Sequence, residues 1–278
     1  MNEWAWLSIG VSVIALGLLL YWQLIIAEGV YLGQTVVTAL YDLTARRYDG
    51  IKQFDPEIES FFLGRPLANV LRRTPAPLVL DVATGTGRLP RVLLEQPYFQ
   101  GKIVGIDASW EMLKIAFQHI GGYKERTQLL CRDAKHMPFR DNWFDMVTCL
   151  EMLEFTPNPA RQLQECFRVL KPGGHLVTTR RRGIDAQLMP TKTFSEELFS
   201  SLLARIGLCE IRIEPWQVDY DLVWARKPGI FDSGGHALDE TIVCEHCHQS
   251  NFERFPNALR CEHCSTSIRV REGIIDFH

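Results

Sequence analysis

The stretch Leu78-Val79-Leu80-Asp81-Val82-Ala83-Thr84-Gly85-Thr86-Gly87 reads as a strand running into a tight, glycine-bearing turn, with a helical pattern through Arg91, Val92 and Leu93 behind it. Glycines at such a turn let a ligand come close to the backbone. A dinucleotide fold usually wants a third glycine three residues after the second, and Pro90 stands there instead. Two glycines alone are weak evidence. The stronger signal is acidic: Asp81 closes the strand, and Asp107 follows 26 residues later, behind Gly101-Lys102-Ile103-Val104-Gly105-Ile106. An acid at the end of a second strand suits a ribose diol. A third acid, Asp133 in Cys131-Arg132-Asp133-Ala134, follows the third strand, where an adenine edge would lie.

Around that stretch, from about 41 to 227, short β-rich runs alternate with helical patterns, as βαβ units in a parallel sheet require. The strand candidates are Leu78 to Val82, Ile103 to Ile106, Gln128 to Cys131, Phe144 to Cys149, His175 to Thr179, Cys209 to Ile213 and Tyr220 to Ala225. The fold class is therefore α/β, a Rossmann-like sheet of seven strands with helices on both faces. The helix between the fourth and fifth candidates has its ends written out. Asn158 can cap it, Pro159 fits its first turn, and Lys171-Pro172-Gly173-Gly174 is expected to stop it.

The averages conceal two further zones. The 278 residues carry 30 Lys plus Arg against 33 Asp plus Glu, a formal net charge of −3, which excludes a polyelectrolyte. Their 46% hydrophobic and 23% charged content excludes a disordered, collagen-like or coiled-coil chain. From Trp4 to Ala27, however, no residue is charged. As a helix rising about 1.5 Å per residue, this run spans the roughly 30 Å hydrocarbon core of a bilayer. Trp4, Trp6, Tyr21 and Trp22 sit toward its ends, where amphipathic rings favour the lipid–water interface. No basic residue precedes the run, and it exceeds the usual apolar stretch of a cleavable signal peptide, so residues 1–28 are expected to be a transmembrane anchor. Arg46, Arg47 and Lys52 follow it and bias the body toward the cytosol, a single-pass arrangement in the cell membrane. A linker is expected over 29–40.

The other zone follows Lys227. Pro228-Gly229 and Asp232-Ser233-Gly234-Gly235 suggest a linker over 228–241, before four of the eight cysteines gather in 242–278. Cys244-Glu245-His246-Cys247 and Cys261-Glu262-His263-Cys264 are two C-x2-C knuckles separated by thirteen residues. Four thiolates at that spacing suit a tetrahedral structural zinc, Zn2+, in a zinc ribbon. With four protein ligands, such a metal has no open position for catalysis. Redox disulfides are the alternative, which a cytosolic compartment disfavours.

The motifs LDVATGTG, GIDAS, CRDAKHMPF, FDMVTCLEMLEF and RVLKPGGHLV, in that order, resemble the class I S-adenosylmethionine-dependent methyltransferases over about residues 41 to 227. Within them the chain looks closest to the quinone and phospholipid methyltransferase group. The resemblance implies that Asp81, Gly85 and Gly87 line the methionine end of S-adenosyl-L-methionine, that Asp107 binds the ribose hydroxyls and that Asp133 with Ala134 reads the adenine. Ala83 and Ala108 belong to the same cofactor-binding set, and Met112 is expected to pack on the adenine ring. Ala83 stands where a first glycine often sits, a feature several quinone-type members share. Each position also has a plainer reading: helix caps for Asp81 and Asp107, turn glycines for Gly85 and Gly87, core packing for Met112.

Methyl transfer needs an acceptor held in line with the S–CH3 bond and little acid–base apparatus, which fits the lack of a Ser-His-Asp or paired-carboxylate constellation. Tyr41-Asp42-Leu43-Thr44-Ala45-Arg46-Arg47-Tyr48-Asp49 resembles a segment that closes over the cofactor in such enzymes. Tyr41 and Tyr48, seven apart, are expected on one helix face as a lid. Glu151 and Glu154 follow the fourth strand, and with Tyr48 they are the candidate catalytic residues. Their context is similar to an EMLEH pattern of quinone O-methyltransferases, but Phe155 replaces the histidine, so no dedicated metal site is expected there. Arg180-Arg181-Arg182 reads as an exposed basic loop after the fifth strand, or as a contact for anionic lipid or phosphate.

The ending Ile268-Arg269-Val270-Arg271-Glu272-Gly273-Ile274-Ile275-Asp276-Phe277 resembles the tail of small zinc-ribbon proteins that activate RNA and protein methyltransferases. That resemblance implies a fused accessory module, with a protein partner as a further use. The leading expectation is a membrane-anchored methyltransferase acting on a hydrophobic small molecule, such as a quinone precursor or lipid amine. RNA or protein as acceptor, and a non-catalytic cofactor-binding scaffold, stay open as alternatives. The −3 balance and the absence of a dense basic cluster in the tail count against nucleic acid.

Overall fold

Strand β1 (Leu78–Val82) is buried at every residue, as a strand covered on both faces must be. The computed structural model, which describes residues 3–231 and 237–277, builds outward from it. Before β1 come α1 (Glu3–Tyr21), α2 (Gln34–Thr44), α3 (Tyr48–Lys52), α4 (Pro56–Glu59) and α5 (Arg65–Leu71). After it run α6 (Arg88–Leu94), β2 (Lys102–Asp107), α7 (Trp110–Ile120), β3 (Thr127–Cys131), β4 (Phe144–Cys149) and α8 (Pro159–Val169). Then come β5 (Leu170–Arg181), α9 (Gly183–Gln187), α10 (Glu196–Ile206), β6 (Cys209–Pro215) and β7 (Tyr220–Arg226). The tail supplies β8 (Phe252–Phe255), β9 (Ala258–Cys261), β10 (Ser267–Arg271) and β11 (Ile274–Asp276).

Among the described residues one eleven-stranded sheet forms, ordered β6-β7-β5-β4-β1-β2-β3-β11-β10-β9-β8. The seven expected strands are its core. β3, β2, β1, β4 and β5 run parallel, and β7 is antiparallel to both β5 and β6. Strand order reverses at β1, flanked by β2 and β4, so a crevice opens beyond the carboxyl ends of these strands. The period-2 alternation assigns the faces: Leu78, Leu80 and Val82 enter one core cluster with Ile106 and Val147, while Val79 enters the other with Ile103 and Met146.

The expected ribbon is not a separate bead. β11 pairs parallel with β3, setting Ile275 against Leu130 and Asp276 against Cys131. Ile274 and Ile275 are buried in the two cores of the body. The sheet therefore exceeds the seven strands expected, because the tail covers what would otherwise be the open edge of β3.

Other expectations shift as well. The 29–40 stretch, expected as a linker, holds most of α2, from Gln34 onward. The helix α8 does end at Val169, just before Lys171 to Gly174, but these residues already belong to β5, and Lys227 exchanges backbone hydrogen bonds with Gly173 and Gly174. The buried Lys171 ammonium also lies 2.8 Å from Asp145. The Asn158 cap on Arg161 N is present at 3.0 Å. Asp232 to Gly235 of the expected linker lie outside the described residues.

Ala83 has φ +56°, the left-handed region that costs an L-residue roughly 1–2 kcal/mol. Glycine adds some unfolded-state entropy, so Ala83→Gly is expected to stabilise the chain by about 1 kcal/mol or slightly less. A denaturant midpoint below that of the wild type would contradict this account of the turn.

Candidate functional site

The crevice at the reversal point is a pocket, and its floor is the glycine turn. Ala83 leaves β1, Gly85 and Gly87 follow at φ +53° and +79°, and α6 starts at Arg88. At Gly87 a Cβ would come 3.1 Å from the Ala116 backbone, so glycine also permits α6 and α7 to approach. Asp107, at the end of β2, fixes the turn: its Oδ2 accepts from Gly85 N and its Oδ1 from Ser109 N, both at 2.8 Å. Burial pushes the Asp107 carboxyl up, and those N–H donors partly restore its charge.

Asp81 is more deeply enclosed. Its carboxylate accepts from Thr84 Oγ1 at 2.7 Å and Thr148 Oγ1 at 2.6 Å. Burial nevertheless pushes it up to about 6, so a cation arriving nearby would favour its charged form.

Two segments cover this floor. Ser109 caps α7 through Met112 N, and its hydroxyl donates to Asp42 at 2.5 Å, which holds α2 over the pocket. Thr86 similarly donates to Asp49 at 2.6 Å. Tyr41 and Tyr48 are not on one continuous helix, because a short helical turn, Ala45–Arg47, separates α2 from α3. Their rings still meet, with centroids 5.7 Å apart. Burial raises both phenols, reinforced by Glu28 for Tyr41 and by Glu151 for Tyr48, so both stay protonated near neutrality.

Of the residues singled out from sequence, Tyr48, Asp81, Ala83, Gly85, Asp107, Ala108, Met112, Asp133, Ala134 and Glu151 line this pocket. Gly87 does not, because it caps α6 from behind the turn. Glu154 is also outside the lining; it is buried against Tyr220, which donates a short hydrogen bond to it, and 3.6 Å from the Arg181 guanidinium. Arg180 and Arg181 end β5, Arg181 pairs with Glu154, and Arg180 and Arg182 both pair with Asp221, so the expected exposed basic loop is instead a set of ion pairs.

Glu151 reaches the pocket with φ +49°, a strained backbone for this residue type. Its carboxylate is held by Arg88 at 2.8 Å, with Lys52 at 4.0 Å. Arg88 is the principal residue that sequence reasoning missed. Burial works against its charge, but Glu151 and Glu59 offset this and leave the guanidinium more basic than usual. It also lies over the rings of Phe54 and Trp216. Gln34, Val37 and Thr38 were missed too; with Tyr41 their three- and four-residue spacing marks one helical face.

The four expected metal ligands do converge. The sulfurs of Cys244, Cys247, Cys261 and Cys264 all lie within 4.8 Å of one another. Cys244 to Cys264 and Cys247 to Cys261 are each 3.5 Å. Sulfurs about 2.3 Å from a tetrahedral zinc stand about 3.8 Å apart, so the cluster is compatible with zinc in size and chemistry. One knuckle touches the pocket wall: Glu245 pairs with Arg132, whose guanidinium also faces the Phe277 ring.

Comparison with known proteins agrees with this geometry. Residues 80–178 match a family model described as a methyltransferase domain. A ubiquinone biosynthesis O-methyltransferase of Coxiella burnetii is 34% identical over 177 residues, covering 63% of this chain and 70% of the relative. A demethylmenaquinone methyltransferase of Lactiplantibacillus plantarum is 41% identical over 101 residues, and the chain spans only 43% of its length. Among solved structures, a SAM-dependent methyltransferase from Aquifex aeolicus aligns over 66% of this chain and 97% of its own, with TM-score 0.52 and 22% identity, a likeness of fold.

Proposed function

The chain belongs to the class I S-adenosylmethionine-dependent methyltransferases, and from that premise we propose that it methylates a quinone-type small molecule dissolved in the membrane. The observation that carries the cofactor half is the pocket's acidic order, Asp81, Asp107 and Asp133 at three successive strand ends. The residues fit the cofactor. Asp107 keeps accepting capacity for two ribose hydroxyls beyond its two N–H donors. Gln34 bonds Asp133 and leaves its own buried Oε1 without a hydrogen-bond partner, suited to an adenine amino group. Asp81, buried and awaiting a cation, suits the methionine end, and Met112 suits the adenine face.

S-adenosylmethionine supplies a methyl group on a sulfonium, so the protein's task is to orient an acceptor and exclude water. Tyr48, protonated and facing the pocket, is a hydrogen-bond donor to an acceptor oxygen. Glu151, tied to Arg88, orients the acceptor. Glu154 acts behind the pocket by holding Tyr220 and Arg181. Phe54, Met152 and Phe155 give the acceptor end apolar walls, as a hydrophobic ring requires. The names of the two relatives support a quinone-type acceptor.

The helix Trp6–Ile26 has mean hydropathy 2.2 and no buried residues in its apolar window, which supports a membrane anchor, with the body on the cytosolic side. The cysteine cluster holds structural zinc in this reading, and the ribbon stabilises the catalytic sheet through β11.

Two outcomes test this. Full-length protein incubated with labelled S-adenosylmethionine and separate quinone, lipid, RNA and protein fractions should label the quinone fraction. Label confined to RNA or protein would overturn the acceptor, and label nowhere would favour a scaffold. Metal analysis should find about one zinc per chain, abolished by Cys247→Ser, with a lower Tm for the whole chain because β11 belongs to the main sheet. Unchanged metal content in the variant, or none in reduced wild-type protein, would reject the zinc assignment.

A further inference from the structure

The foot of the apolar helix is fastened to the body at the acceptor end of the pocket. Trp22 donates from Nε1 to Leu188 O at 2.9 Å, and Tyr31 donates from its hydroxyl to Pro190 O at 2.7 Å. The Trp22 and Tyr31 rings stack with centroids 5.2 Å apart. Beneath them Ala27, Val30 and Met189 form a small buried cluster against which Phe155 packs. Phe155 is also a wall of the pocket, with the Tyr41 ring edge-on to it at 5.9 Å. One apolar layer thus continues from the end of the helix to the site.

The surface beside that foot is apolar where a water-facing surface need not be. Ile184 on α9 is 73% exposed and Leu188, four residues on, is 41% exposed. The turn between β6 and β7 carries Val218, 84% exposed. Arg182 ties that turn to the start of α9, donating from its backbone N–H to Asp219 O at 2.8 Å and from Nε to Val218 O at 3.3 Å. Single exposed apolar residues are ordinary. These three stand together beside a helix apolar enough to cross a bilayer, and Lys192, 5.8 Å from the Tyr31 ring centroid, adds a cation for lipid phosphates.

We propose that Ile184, Leu188 and Val218 seat in the bilayer surface beside the anchor, so that the acceptor's head reaches the pocket past Tyr31 and Phe155 while its tail remains in lipid. The membrane seat stands on the geometry above; the passage of the acceptor rests on the quinone-type reading. β5 gives the orientation, because Arg181 ends it on this side while Gly173, near its start, packs against Phe231 next to Ile230. Ile230, 93% exposed, is thus an apolar control at the opposite end of the same strand.

The test uses the full chain in vesicles of phosphatidylcholine and phosphatidylglycerol, with benzoylphenylalanine placed singly at positions 184, 188, 218 and 230. Illumination should give lipid adducts at the first three about tenfold above position 230, since only those side chains reach the acyl boundary. Equal yields at all four would overturn the seat. The double variant Ile184→Glu/Leu188→Glu should lose about tenfold in methylation rate with a naphthoquinol bearing a long prenyl tail in vesicles, and nothing with the same ring lacking its tail in water. Equal loss on both probes, or loss on neither, would overturn the lipid-side passage. Wild-type protein methylating neither probe would defeat the quinone reading instead, with the adduct pattern still deciding the seat.

Discussion

Asp107 holds together parts of the chain that sequence keeps far apart. Its two carboxylate oxygens accept from Gly85 N in the glycine turn and from Ser109 N at the start of α7. Ser109 in turn caps α7 and donates to Asp42, so the helix that covers the pocket hangs from the same point. A buried carboxylate is costly to desolvate unless donors surround it, and here the donors are the backbone groups that shape the pocket floor. Loss of that charge would loosen the turn, the helix start and the cover together.

The sheet supplies the frame for this node and is closed at β3 by the chain's own tail. β11 is a short strand, yet it buries Ile274 and Ile275 and carries the ribbon to the Arg132–Asp133 wall of the pocket. There Glu245 and Phe277 both engage Arg132, one residue before Asp133. The cysteine cluster therefore lies close to the site without lining it.

Sequence made the seven core strands and most of the pocket legible because those signals are local. The Asp81 turn, the Asp107 strand end and the Asp133 loop each carry their chemistry within a few residues, and strand order brings them together. What escaped was set by distant partners. Gly173 and Gly174 read only as a helix stop until Lys227 pairs with them as strand, and Arg180 and Arg181 look solvated until Asp221 and Glu154 meet them. Glu154, only three residues from Glu151, turns away from the pocket to Tyr220, a contact its own segment does not encode. The union of β11 with β3 likewise joins strands that have β4 to β10 between them in sequence. The α2 face was readable from its spacing, but its place beside a supposed linker obscured it.

The measurement that bears most directly on this account is calorimetric titration of the full-length protein with S-adenosylmethionine, comparing wild type with Asp107→Asn. Replacing a charged acceptor of backbone N–H groups, proposed also to accept from the ribose hydroxyls, should weaken binding by about 10- to 100-fold, as loss of charge-assisted hydrogen bonds does. Equal affinity in the two proteins, both correctly folded, would contradict the claim that Asp107 organises and binds the cofactor site.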